Sequence, residues 1–161
     1  MANNLLSVGF FDDELSAYNT LLREGRKLER IARKVWRQYE NSYSPKQYVR
    51  TGNSAKSIKL RTMPIKLSED EIGIELTWEN ELAWHDSVVP NSKKKGHAIL
   101  LISAGWHSKK LERAYGKSVY RHTYYEGYGY LTEVINAYNA VRDKRVGLEL
   151  EVLVKMKRPL K

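Results

Sequence analysis

The sequence of 161 residues contains no cysteine, which excludes a disulfide scaffold and a thiolate metal site. This absence is typical of a protein made in a reducing cytoplasm. No stretch reaches the roughly 18 consecutive apolar residues that a membrane helix needs. Residues 1–11 also lack the basic start and the apolar centre of a secretory signal. We therefore expect a soluble protein with no membrane partner.

Sequence patterns that carry catalysis are scarce as well. The four histidines have no helical metal-ligand spacing to one another or to a carboxylate. There is no phosphate-binding loop, and Gly127 and Gly129 lack the third glycine of a dinucleotide loop. No nucleophile elbow is present either. The sequence therefore predicts a protein that is not an enzyme, with no catalytic residue, metal or cofactor. A metal-dependent nuclease stays open as an alternative, because scattered Asp, Glu and Lys form such sites without a clear signature.

Positive charge and tyrosine are abundant. The chain has 28 Lys and Arg against 19 Asp and Glu, a net charge of +9, and 11 Tyr against 2 Phe. A basic excess indicates an acidic partner, a nucleic acid or a charged assembly, and tyrosine suits surfaces that meet other surfaces. Basic residues lie among tyrosines between positions 109 and 125, a pattern typical of single-strand stacking surfaces. A nonspecific nucleic-acid-binding protein is therefore a second hypothesis.

Apolar residues at helical spacing predict a long helix over residues 12–42. Asp12 and Asp13 suit its positive end, and Gly25 indicates a kink or a break into two helices. The predicted polar face is basic and carries Arg23, Arg26, Lys27, Arg30, Arg33, Lys34 and Arg37.

Alternating apolar residues predict a hairpin over residues 58–79, with Pro64 indicating an edge strand or a bulge. The polar residues 80–97 are predicted to be a loop that includes Trp84, His85 and Asp86. Residues 98–104 are too short a run to separate strand from helix. A second helix is predicted over residues 131–142 and a final strand over residues 148–156. The expected fold is a single α+β domain: a twisted antiparallel sheet with the long N-terminal helix across one face and a second, shorter helix.

Residues 43–58 read Tyr-Ser-Pro-Lys-Gln-Tyr-Val-Arg-Thr-Gly-Asn-Ser-Ala-Lys-Ser-Ile. This segment resembles the motif that follows the first helix in neck and tail-completion proteins of long-tailed bacteriophages, although Ser54 stands where that family usually has Leu. The order of predicted elements, and Tyr125-Glu126-Gly127, are also similar to that family. From the residues themselves we interpret the motif as a chain reversal that joins helix to sheet and determines the fold, rather than as a catalytic site. Its members are Pro45, Arg50, Thr51, Gly52, Asn53 and Ser57.

The resemblance implies a structural virion protein of the phage neck or tail, made in the host cytoplasm. It implies a homo-oligomeric ring, expected to be a hexamer, around the DNA channel. The implied partners are head connector or portal-adaptor proteins on one side and tail tube or tail terminator proteins on the other, with DNA in the lumen. Within the predicted loop, we expect Lys93, Lys94 and Lys95 to face a partner or DNA; a solvated loop is the alternative.

Overall fold

The computed structural model describes residues 2–9, 14–42, 52–86, 95–107 and 124–152. Helices and antiparallel strands alternate irregularly along these ranges, so the α+β class is confirmed. The elements are β1 (Ala2–Gly9), α1 (Glu14–Asn41), α2 (Asn53–Lys56), β2 (Ile58–Lys66), β3 (Glu71–Trp78), α3 (Asn80–Ala83), β4 (Trp84–Asp86), β5 (Lys95–His97), α4 (Ala98–Ala104), β6 (Trp106–His107), β7 (Tyr124–Tyr125), α5 (Tyr130–Asn139) and β8 (Val146–Val152).

The main sheet has four strands in the order β2-β3-β1-β8, and every neighbouring pair is antiparallel. The hairpin of β2 and β3 is confirmed. Strand β1 was not predicted, because the adjacent Leu5 and Leu6 break the alternation that identifies a strand in sequence. It becomes a strand by pairing with β3 on one side and β8 on the other. Tertiary context thus decides its structure.

Helix α1 packs across one face of this sheet and also contacts α5. Its buried stripe includes Leu21, Leu28, Ala32 and Trp36, and these side chains form one core with residues of β3 and α5. The predicted helix over residues 12–42 is therefore confirmed within one or two residues of its ends. The burial of the stripe follows from its helical spacing.

The predicted kink or break at Gly25 is wrong, since α1 runs through this position without interruption. Gly25 is buried against the sheet. A Cβ atom placed there would overlap the Cδ1 methyl of Ile74 and would lie 2.8 Å from the Cδ1 methyl of Leu60. The residue is glycine because the helix and the sheet approach each other closely at this point.

We therefore expect Gly25→Ala to lower the free energy of unfolding by about 1 kcal/mol, because overpacking of the core exceeds the gain in helix propensity. Asn19→Ala, at an exposed position of the same helix, serves as the control and should leave stability unchanged or slightly raised. Urea denaturation of both variants measures the difference. A Gly25→Ala variant more stable than the wild type would contradict the close approach.

Strand β2 is an edge strand with a bulge, as Pro64 predicted. The pairing register with β3 shifts between Arg61 and Ile65. Within this irregular stretch the hydroxyl of Tyr18 donates a hydrogen bond of 2.9 Å to the backbone oxygen of Thr62. Helix α1 thereby satisfies a carbonyl at the bulge.

The prediction of a loop over residues 80–97 is wrong for its described parts. Residues 80–83 form α3, and β4 pairs antiparallel with β5, so that Trp84 lies opposite His97. The polar composition of this segment gave no periodic pattern from which these elements could be predicted. Ala83 anchors α3, because it is fully buried and donates its N–H to the oxygen of Glu79. Residues 87–94 lie outside the described ranges. The undecided run over residues 98–104 is the helix α4.

The two C-terminal elements differ slightly from their predicted bounds. Helix α5 covers residues 130–139 instead of 131–142, and a turn follows in which Val141 donates its N–H to the oxygen of Tyr138. Strand β8 begins at Val146, two residues before the predicted start, because Val146 pairs with Val8 of β1. Residues 153–156 of the predicted strand lie outside the described ranges.

Candidate functional site

The described part of the predicted reversal, residues 52–58, is a tight turn and a short helix that lead into β2. Gly52 has φ +72°, a left-handed conformation that favours glycine, and residues 53–56 form the short helix α2. The hydroxyl of Ser57 donates to the oxygen of Ser54 at 2.6 Å, and the Ser57 oxygen accepts from the N–H of Glu79 at 2.8 Å. The motif thus closes on its own backbone and on the end of β3. Pro45, Arg50 and Thr51 lie outside the described ranges.

Arg33 of α1 ties this reversal to the long helix. Its guanidinium donates to the oxygen of Ala55 at 2.9 Å and to the oxygen of Ile58 at 2.5 Å. Glu29, one turn earlier, accepts two further hydrogen bonds from it at 2.9 and 3.2 Å. Only a planar group with several donors can bridge two carbonyls and a carboxylate at once. Sequence reasoning assigned Arg33 to the basic face and missed this role; the spacing of Glu29 and Arg33 was the only signal.

Gly127 and Gly129 flank Tyr128 and shape a segment that covers the end of α4. Both glycines have positive φ, and a Cβ at Gly127 would lie 2.8 Å from the backbone oxygen of Ser103. The N–H of Tyr128 donates to Ile102 and that of Gly129 to Ser103, which satisfies carbonyls at the end of the helix. This Gly-Tyr-Gly sequence is therefore a structural element.

Several tyrosines lie in the core, not on the contact surface that their abundance indicated. Tyr130 is fully buried, donates its hydroxyl to the oxygen of Ala32 at 3.0 Å, and accepts from the indole of Trp78 at 3.4 Å. Its ring meets Trp36 edge-on, with centroids 5.3 Å apart. Burial raises the pKa of Tyr130 well above its ordinary range, which keeps the hydroxyl protonated as a donor.

Glu24 is the buried carboxylate of α1, with 1% of its surface exposed. It accepts hydrogen bonds from Lys27 at 2.6 Å, from the hydroxyl of Tyr138 at 3.0 Å and from the N–H of Asp143 at 3.1 Å. Burial acts to raise the pKa of Glu24, but these three donors together outweigh it and hold the pKa below its ordinary value of 4.5. The charged carboxylate thus joins α1 to the turn after α5 by hydrogen bonds.

The seven basic residues predicted on α1 divide into two sets. Three are paired with a carboxylate: Lys27 with Glu24 at 2.6 Å, Arg33 with Glu29, and Arg23 with Asp143 at 3.4 Å. The other four are exposed and take no part in the ion pairs between described residues. We call these four the basic stripe: Arg26, Arg30, Lys34 and Arg37.

The basic stripe is compact because its members recur every three or four residues. At 100° per residue all four fall within an arc of about 80°, and they extend over about 16 Å of helix. Arg30, Lys34 and Arg37 line a shallow surface groove together with Gln38 and Asn41. A row of exposed cations attracts polyanions such as nucleic acids. The basic stripe is therefore the candidate nucleic-acid-contacting surface.

The other predicted basic contacts fall mostly outside the described ranges. Lys93 and Lys94 lie there, as do the basic residues 109–121 that are interleaved with tyrosines. Lys95 opens β5. Their assignment to a partner or to DNA stays a prediction.

Comparison with known proteins gave no match among family models, curated proteins or solved structures. Among the described helices, none is both long enough and apolar enough to span a membrane. Within the same ranges, no group of three or more His, Asp or Glu side chains is placed to hold a metal ion.

Proposed function

We propose that this chain is a structural virion component of a phage neck or tail, made in the host cytoplasm. In this proposal it forms a hexameric ring around the DNA channel and joins or completes the head–tail connection. It contacts copies of itself, head connector or portal-adaptor proteins on one side, and tail tube or tail terminator proteins on the other. It binds neighbours and performs no catalysis.

The observation that carries the proposal is the motif over residues 43–58, together with its place in the chain. Its described part follows α1 in the chain and directly precedes the hairpin of β2 and β3, which is the position that the resemblance implies. Arg33 holds it against the helix through Ala55 and Ile58. The order of long helix, motif, hairpin, second helix and last strand supports the same family resemblance.

The basic stripe supports a role next to DNA. A ring around a polyanion needs a surface that lowers the electrostatic cost of its passage, and four exposed cations on one helix provide such a surface. The same stripe also favours the second candidate function, a nonspecific nucleic-acid-binding protein that acts without forming a ring. Both candidates account for contact with DNA, so the difference between them is whether the chain assembles into a ring.

We expect removal of two stripe charges in Arg30→Gln/Lys34→Gln to weaken binding to duplex DNA roughly tenfold at low salt. The slope of log affinity against log salt should become shallower by about 2, because about two phosphate contacts are lost. The control is Lys56→Gln/Lys144→Gln, which removes the same charge at exposed positions outside the stripe. Fluorescence anisotropy with a labelled duplex measures both quantities. Equal losses in the two variants would show attraction by net charge alone.

The mass of the protein in solution separates the candidate functions. Light scattering coupled to size-exclusion chromatography, with and without linear duplex DNA, should detect a discrete closed oligomer if the neck or tail proposal holds. A protein that binds DNA but stays monomeric over the whole concentration range would favour the second candidate. Cleavage of the duplex on addition of magnesium, abolished by replacement of a single Asp, Glu or His, would overturn both in favour of a nuclease.

A further inference from the structure

Arg23 lies in the same row of α1 as the basic stripe, although it is paired with a carboxylate. At 100° per residue it falls inside the arc of about 80° that holds the basic stripe, and its side chain is 61% exposed. Asn19 and Asn41 are exposed and fall inside this arc as well. We call this row the crest of α1: Asn19, Arg23, the basic stripe and Asn41.

The crest points directly away from the sheet. Leu21 and Tyr39, which lie about 180° from its centre, are both buried. Two shallow grooves follow each other along the exposed side of the helix, the first from Asn19 to Arg30 and the second from Arg30 to Asn41. Because Arg30 lines both grooves, the crest is one open surface about 33 Å long, with its five cations in the central 21 Å or so.

The crest has the chemistry of a phosphate-binding surface. The carboxylates of α1, among them Glu29 and Glu40, lie at least about 40° outside its arc. Arginine, lysine and asparagine side chains all donate hydrogen bonds to phosphate oxygens. A linear polyanion that lies along α1 can therefore meet donors over the whole length of the crest.

The aromatic residues of α1 lie away from the crest, which favours a duplex over a single strand as its ligand. Single strands are bound by cations together with aromatic rings on which the bases stack. Tyr18, Trp36 and Tyr39 lie at least about 80° outside the arc, and the last two are buried. Duplex DNA needs no stacking partner and carries one charge per roughly 1.7 Å of its axis. The crest therefore fits the backbone of a duplex.

Arg23 is held by long contacts that a phosphate could replace. Its guanidinium lies 3.4 Å from Oδ2 of Asp143 and 3.8 Å from Oε1 of Glu24. Asp143 has a closer partner in Arg145, whose Nη2 and Nε donate to it at 2.7 and 3.0 Å, and Glu24 keeps Lys27 at 2.6 Å. Neither carboxylate would lose its main donor if Arg23 moved, and an exposed ion pair contributes little to stability.

From this geometry we propose that α1 binds the phosphate backbone of a duplex lengthwise along the crest, and that Arg23 exchanges Asp143 for a phosphate as the fifth cationic contact. The cations follow one another about every 5 Å along the helix axis, so each can contact a phosphate of its own. The inference rests on the proposed role next to DNA and names the form of the nucleic acid and its direction on the protein. In a closed ring, α1 of each copy then faces the channel.

Arg23→Gln tests the fifth contact. We expect it to weaken binding to a labelled duplex roughly threefold at low salt, and to make the slope of log affinity against log salt shallower by about 1. The control Lys59→Gln removes the same charge from an exposed position of β2. Its neighbour Leu60 packs against Gly25 of α1, so Lys59 lies on the other face of the sheet. Fluorescence anisotropy that shows no larger loss in Arg23→Gln than in Lys59→Gln would overturn the proposal.

Asp143→Asn tests the exchange of partners. The variant removes the carboxylate that holds Arg23, so the affinity for the duplex should rise roughly threefold. In the Arg23→Gln background the same substitution should raise the affinity less than about 1.5-fold, because only the general effect of one negative charge remains. An equal gain in both backgrounds would overturn the exchange.

Oligothymidine of the same length tests the form of the nucleic acid. Arg23→Gln should weaken binding to this single strand less than about 1.5-fold, against the roughly threefold loss on the duplex, because the crest offers no ring on which bases stack. Losses of equal size on the two ligands would overturn the assignment of the crest to a duplex.

These results separate the inference from the proposed function. Closed wild-type rings, together with an unchanged duplex affinity in Arg23→Gln, would keep the neck or tail proposal and overturn the inference. A monomer whose duplex affinity depends on Arg23 as expected would keep the inference and overturn the ring. A wild-type chain that does not bind the duplex at low salt would overturn both the inference and the role next to DNA.

Discussion

Replacement of Glu24 by Ala should lower the free energy of unfolding at neutral pH by roughly 3 kcal/mol. The variant leaves the hydroxyl of Tyr138 and the N–H of Asp143 without their acceptor and Lys27 without its closest carboxylate. Removal of one partner of a buried charged network costs more than the network contributes, because the remaining groups stay desolvated. Urea denaturation followed by tryptophan fluorescence measures this loss.

Two further variants define the origin of the effect. Glu24→Gln keeps an acceptor for Tyr138 and Asp143 but loses the charge opposite Lys27, so we expect an intermediate loss. Glu133→Ala removes an exposed carboxylate from α5 and should change stability by less than about 0.5 kcal/mol. Equal stability of the Glu24→Ala and Glu133→Ala variants would contradict the role of Glu24 as a joint between α1 and the turn after α5.

The same carboxylate should make stability depend on pH in acid. Because the pKa of Glu24 is lower in the folded chain than its ordinary value of 4.5, the unfolded chain binds more protons in this range, and stability rises with pH. The contribution is complete above about pH 5.5 and is lost as the pH falls through the lowered pKa. Asp143, whose pKa is lowered by the hydrogen bonds and charge of Arg145, adds to the same slope. We expect a shallower slope in Glu24→Gln; an unchanged slope would contradict the assignment.

Replacement of Arg33 by Ala should lower the free energy of unfolding by roughly 2–3 kcal/mol and release the motif from α1. The variant loses charge-assisted hydrogen bonds to Ala55 and Ile58 and leaves Glu29 without its partner. Amide hydrogen exchange over residues 52–58 should become faster, because this reversal loses its attachment to the helix. The stability of Arg33→Lys should lie between those of the wild type and Arg33→Ala, since an ammonium cannot bridge the same three acceptors.

Lys34→Ala is the matched control for Arg33, because the two residues are adjacent on the same helix and carry the same charge. Lys34 is exposed and belongs to the basic stripe, so its loss should change stability by less than about 0.5 kcal/mol. Replacement of Arg33 should therefore lower stability, whereas replacement of Lys34 should weaken DNA binding. Equal unfolding midpoints for the two variants would contradict the anchoring role of Arg33.

The elements that could be predicted from the sequence are those with long, regular patterns. Helix α1 repeats its apolar residues over many turns, and β3 alternates strictly between apolar and other residues, so local periodicity was sufficient for both. Strand β1 lacks such a pattern and forms only between two neighbours that are distant in sequence. The end of α5 likewise depends on Lys27 and Glu24 of α1, which bind Val141 and Asp143 in the turn that follows.

The candidate site was predictable only in composition. The basic face of α1 was visible in the sequence, but the sequence did not show which of its residues pair with a carboxylate. Asp143, which pairs with Arg23, is 120 residues away along the chain, and the carbonyls that bind Arg33 belong to another element. Two residues have the backbone role that the sequence predicted: Gly52 adopts a left-handed conformation, and Pro64 lies in an edge strand.

Electron cryomicroscopy of the purified protein with linear duplex DNA tests most directly whether this chain works as a member of an assembly. The account predicts closed rings with a central channel. Isolated single copies bound along the DNA, with no ring at any protein concentration, would contradict it.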